Sequence, residues 1–103
     1  MRRKKSWIAG SPLIISPEAE DDLAQAFRWY ETQRSGLGRD FLACVERIRH
    51  RPEVHAISHK TVRQTLVKRF PYVVCYTFEV NVVFVIAVFQ GHRDPNAWKS
   101  RAS

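Results

Sequence analysis

The chain has little that would tie a small protein together covalently or carry it into a membrane. Among its 103 residues only two are cysteine, Cys44 and Cys75, and both fall inside apolar periodic segments. With no C-x-x-C pair and no dense cysteine framework, a disulfide scaffold is excluded and a zinc site has almost no support. The plain expectation is two reduced, buried thiols in a cytoplasmic protein. No stretch approaches the ~20 apolar residues of a membrane-spanning helix, so no membrane partner is expected. The opening MRRKKSWIAGSPLII joins a basic cluster to apolar residues, but Gly10, Ser11 and Pro12 break the apolar part and acidic residues follow. That is not the layout of a secretory signal. Acidic residues are also scarce: ten Asp and Glu against seventeen Lys and Arg, a net charge of +7. Such a balance favours an anionic partner (nucleic acid, an acidic protein or an anionic surface) without choosing among them.

What is present suffices for one core. The composition is 45% apolar and 12% aromatic, enough for one domain of this size without disulfides or metal. No internal repeat or linker divides it, so residues 13–103 read as one domain behind a flexible basic arm, residues 1–12. Leu13 to Ile15 suits an edge strand. Ser16 and Pro17 make a strong helix start, as N-cap and first helical residue, with Glu18, Glu20, Asp21 and Asp22 at the positive end of the dipole. Ala19, Leu23, Ala26, Phe27 and Tyr30 recur at helical spacing, predicting a helix over 17–33. Gly36 and Gly38 permit a tight connection. Leu37, Phe41, Cys44, Val45 and Ile48 then mark a second helix, which closes on the cations Arg47, Arg49, His50 and Arg51 and stops at Pro52. Residues 53–60 show no period and read as a loop. The remainder alternates or is densely β-branched, predicting three strands, with Asn81 as a turn residue that tolerates positive φ. The expected architecture is α+β, a helical hairpin packed on a small antiparallel sheet in the order β-α-α-β-β-β.

Candidate chemistry lies along the strands. Alternation along the strand places Arg63, Thr65, Val67 and Arg69 on one side, so Arg63 and Arg69 are expected to point the same way. Arginine offers a planar bidentate fork to phosphate. With His92 as proton carrier and Arg93 beside it, such a group can cleave RNA without metal, using the 2′-hydroxyl as nucleophile. The plainer alternative is that the arginines are exposed cations that discourage edge pairing. Tyr72, Tyr76 and Phe78 share a face with Val74 and read first as core, with base stacking as the alternative. His55 and His59 have metal-ligand spacing only on a helix, and a proline precedes them with no fitting carboxylate, so no metal is expected.

Four stretches taken together resemble the RelE/ParE superfamily of type II toxin–antitoxin toxins, also known as plasmid stabilisation proteins: SPEAEDDL (16–23), GLGRDFLACVERI (36–48), VKRFPYVVCY (67–76) and VFQGHRDPNAW (88–98). The resemblance implies a cognate antitoxin as partner, in some members within a higher-order complex, and no cofactor. It splits at the target: ParE-like members inhibit DNA gyrase and are not nucleases, whereas RelE-like members are ribosome-dependent endoribonucleases that cut mRNA. The RFPY segment with Tyr76, and HRDP near the end, look closer to the ParE-like branch. For a RelE-like nuclease the catalytic set would draw on Arg63, Arg69, His92 and Arg93. Trp98 stands where such a nuclease would carry a late Tyr, and Gln90 where many relatives have His. The expected surface for target or antitoxin is Lys68, Arg69, Tyr72, Tyr76 and Trp98. A non-toxic nucleic-acid or protein-binding relative is the third reading.

Overall fold

The computed structural model describes residues 11–91. The elements are β1 (Leu13–Ile15), α1 (Pro17–Gln33), α2 (Leu37–Glu46), two 3-10 turns (Arg47–His50 and Pro52–Val54), β2 (Ile57–His59), β3 (Val62–Leu66), β4 (Tyr72–Glu79) and β5 (Val82–Gln90). They build a five-stranded sheet in the order β1-β5-β4-β3-β2, with the helical hairpin against one face. This is the α+β architecture expected, with two differences. The sheet is mixed rather than antiparallel, because β1 joins β5 in parallel, Leu13 opposite Val83. The chain passes from β1 straight into α1, so β1 can only flank the outermost long strand and run alongside it. The segment expected to be a loop holds a short strand, β2, paired irregularly with β3. Its residues Ile57 and Ser58 are exposed and carry no periodic signal.

Local rules account for the helices. The Ser16 hydroxyl accepts from the Ala19 N–H at 3.1 Å, closing the N-cap of α1. The hairpin is locked from within: the Glu31 carboxylate accepts from the N–H groups of Gly36 (3.1 Å) and Gly38 (2.9 Å). Those donors lie at the start of α2, where no intrahelical acceptor exists and the dipole favours an anion. Asp22 leaves the helix dipole and accepts from the Val88 N–H at 3.0 Å, tying α1 to β5 where β1 no longer covers it.

The main core lies between helices and sheet and includes Ala19, Leu23, Tyr30, Phe41, Val74, Tyr76, Val83, Val85 and Val88. Burial of each larger apolar side chain contributes about 1.5–3 kcal/mol. Strict alternation would have put Val88 opposite Val83 and Val85. A β-bulge at Ile86, where Cys75 pairs with Ala87 but Tyr76 with Val85, reverses the phase. Ala87 thereby joins Val62 and Cys75 in a smaller cluster on the far face. Both cysteines are buried and neither forms a disulfide. Trp29, on the outer side of α1, is 54% exposed. No helix among the described residues is long and apolar enough to cross a membrane. The segment DPNAWKSR lies outside the described residues, as do residues 1–10 of the basic arm.

Two substitutions test this account. A Cβ added at Gly38 would sit 2.7 Å from the Phe27 carbonyl oxygen and 2.9 Å from Glu31 Cγ. Gly38→Ala is therefore expected to destabilise the fold by about 2–3 kcal/mol in urea unfolding, since backbone cannot give way. The β4–β5 turn puts Val80 at φ 53° and Asn81 at φ 63°, a pairing suited to a two-residue hairpin but costly for a β-branched residue. Val80 is also 93% exposed, so Val80→Asn is expected to raise stability by about 1 kcal/mol in the same measurement.

Candidate functional site

Strand β3 ends at Leu66, earlier than simple alternation assumes, and the chain turns. The Val67 N–H donates to the Tyr72 carbonyl at 2.8 Å and the Phe70 N–H to the Val67 carbonyl at 3.1 Å. These bonds define a tight turn over Val67, Lys68, Arg69 and Phe70. Arg69 occupies its third position with φ 73°, a left-handed conformation that glycine or asparagine adopts more readily. Arg63 and Arg69 therefore do not share a strand face. Lys68 and Arg69 are exposed, while Phe70 is buried directly behind them. The Arg69 guanidinium carbon lies 5.9 Å from the Phe70 ring centre, within cation–π range.

Arg63 is committed elsewhere. Its guanidinium donates to the carbonyls of Glu53 (3.1 Å) and His55 (2.6 Å), pinning the second 3-10 turn against β3. Tyr76 is fully enclosed, and its hydroxyl donates to the Pro52 carbonyl at 2.6 Å. Burial pushes its phenol above the ordinary value, while the Arg63 charge pulls it down and Glu53 raises it. The side chain thus holds the core and offers no surface. Tyr72 is half-buried, with its ring 5.1 Å from that of Phe41. His55 follows a 3-10 turn and His59 sits on β2, so the pair has no helix to align it. His92, Arg93 and Trp98 lie outside the described residues.

The structure brings Lys68 together with residues that sequence reasoning had assigned to a helix end and a loop. A cleft of about 500 Å³ opens between the β3–β4 turn and the end of α2, and Arg47, His50, Arg51, His55 and Lys68 line it. The tight 3-10 turn has about three residues per turn, so Arg47 and His50 fall on one side. Arg49 is directed away from them: its Nε donates to the Ser11 carbonyl at 3.0 Å, and it pairs with Glu46 at 3.9 Å. The signal available in the sequence was the density of cations over 47–51, a run that also suits a helix C-terminus. No group of three or more His, Cys, Asp or Glu suited to a metal occurs among the described residues. The arrangement offers charge attraction and hydrogen-bond donors on an aliphatic floor.

Against this geometry, comparison with known proteins is specific. Residues 13–95 match the model of the ParE toxin of the type II toxin–antitoxin system, parDE. The fold is similar to a solved chain of the chromosomal ParDE TA system from P. aeruginosa, with a TM-score of 0.64 at 14% identity over 78% of this chain and 95% of that one. No curated protein sequence matches. The chain belongs to the ParE toxin family of type II toxin–antitoxin systems.

The turn generates a test. Asn at position 69 would relieve the left-handed strain while losing the cation–π contact, two effects of similar size. Arg69→Asn is therefore expected to leave the urea midpoint unchanged within about 0.5 kcal/mol. Any loss of partner binding in that variant then belongs to the guanidinium. A large destabilisation would instead show that Arg69 holds the turn together.

Proposed function

We propose that the chain is a growth-arresting toxin that acts in the cytoplasm by binding DNA gyrase and is neutralised by a cognate antitoxin. Membership of the ParE family over residues 13–95 carries the proposal, because gyrase inhibition belongs to the ParE-like branch of the superfamily. The placement of the arginines supports it further. Arg63 is spent on two backbone carbonyls and Arg69 stands on a separate turn. Neither converges with the other as a pair for phosphoryl chemistry would. Lys68, Arg69 and the exposed part of Tyr72 instead fit a binding surface, with charge steering the encounter.

Expression from a tightly controlled promoter tests the proposal. The expected result is growth arrest with filamentation and a DNA damage response. Gyrase should be recovered with the tagged chain, and growth restored when the neighbouring reading frame is co-expressed. Codon-positioned mRNA cleavage without gyrase recovery would replace this reading with a ribosome-dependent nuclease. Normal growth at every expression level would leave a binding protein that is not a toxin.

A further inference from the structure

We propose that the small cavity between α1 and the ends of β4 and β5 binds a guanidinium group. Its volume is about 240 Å³, below the roughly 300–1,000 Å³ of sites for drug-sized ligands, so its occupant is a single head group. Asp22, Gln25 and Trp29 line it from α1, and Tyr72 and Gln90, register partners on β4 and β5, line it from the sheet. The chain carries seventeen Lys and Arg, yet among the described residues no Lys, Arg or His lines this cavity. What does line it favours a cation throughout. A carboxylate supplies negative charge, two carboxamides supply acceptor oxygens, and an indole and a phenol supply π-systems that attract positive charge.

The walls are braced before any ligand arrives. Tyr30, itself buried, meets the Trp29 ring at 5.0 Å and the Tyr72 ring at 5.9 Å, both in edge-to-face geometry. Tyr72 also stands 5.1 Å from Phe41. Trp29 is nonetheless exposed over half its surface, so a ligand can reach its ring. Asp22 is held too, since its carboxylate accepts from the Val88 N–H at 3.0 Å. Its charge, rather than a vacant lone pair, is what a cation in the cavity meets. Guanidinium suits these walls better than ammonium. It is planar and weakly hydrated, it stacks on aromatic rings, and its five N–H donors serve several acceptors at once. An ammonium ion would give up a tightly held hydration shell for the same contacts. A free guanidinium compound and an arginine side chain of a protein share this chemistry.

The test follows the indole N–H signals of the purified full-length chain by two-dimensional NMR during titration. The probes are ethylguanidinium, a free guanidinium compound, and a glycine-flanked peptide with one central arginine. Saturable shifts of the Trp29 signal are expected with both, and the tighter of the two identifies the source as small molecule or protein. The same peptide with lysine should bind about tenfold more weakly, and ethylurea, the neutral analogue, should give no saturable shift. Gln25→Glu adds a carboxylate at an exposed position and should tighten binding about threefold, a gain that misfolding cannot produce. Asp22→Asn keeps an oxygen for the Val88 N–H and should weaken binding about fivefold. Trp29→Leu, followed through the Tyr72 ring signals, should weaken it about tenfold. Shifts that do not saturate, equal binding of ethylurea or the lysine peptide, or indifference to the Gln25 and Asp22 changes would overturn the proposal.

Discussion

Four aromatic rings from three stretches of chain meet between the helical hairpin and the sheet. Tyr30 comes from α1, Phe41 from α2, Phe70 from the β3–β4 turn and Tyr72 from the start of β4, with centroids 4.9 to 5.9 Å apart in mostly edge-to-face geometry. Such contacts combine large apolar area with a preferred orientation. Here they fix the angle of the hairpin on the sheet and the position of the turn at once. Phe70 follows Lys68 and Arg69 directly, so anchoring its ring decides where those two cations emerge. A loop tethered only by its ends would hold the same charges far less well.

The cationic end of the molecule is built against its own electrostatics. Arg47, His50, Arg51, His55 and Lys68 surround one cleft with, among the described residues, no acidic counterpart in its lining. The nearby Arg63 shows the contrast, since its hydrogen bonds to Glu53 and His55 go to carbonyls that hold the scaffold. One arginine thus stabilises the frame on which the others are displayed. Repulsion among exposed cations costs stability modestly because water screens it, and it concentrates attraction for anything anionic at one end of the sheet.

The sequence made the helices legible because their signals are local. Ser16, Pro17 and the apolar spacing up to Tyr30 each act within a few residues, and α1 ends at Gln33 as the pattern indicates. The strands were legible as elements but not in phase: the bulge at Ile86 depends on a partner strand, and no pattern within β5 announces it. Strand β2 was missed for the same reason, being short, exposed and defined only by its pairing with β3. At the site, Lys68 and Arg69 could be nominated by their position before Phe70-Pro71. Their separation from Arg63 could not, because it follows from the turn at Arg69. The contribution of residues 47–51 to the cleft needed tertiary structure, since the same run is fully explained by a helix C-terminus when seen alone.

The parallel edge strand sets an order of events. Leu13 is made roughly seventy residues before its partner Val83. Pairings of such long sequence separation form late, after local structure has paid the entropy of closure. On the ribosome the helical hairpin can assemble while Leu13, Ile14 and Ile15 wait unpaired. The sheet closes only once β5 has cleared the exit tunnel. Until β5 emerges, β1 has no partner strand and the β4 side of the sheet stays open, which gives a co-translationally supplied binding protein an interval in which to meet the chain before the native surface exists.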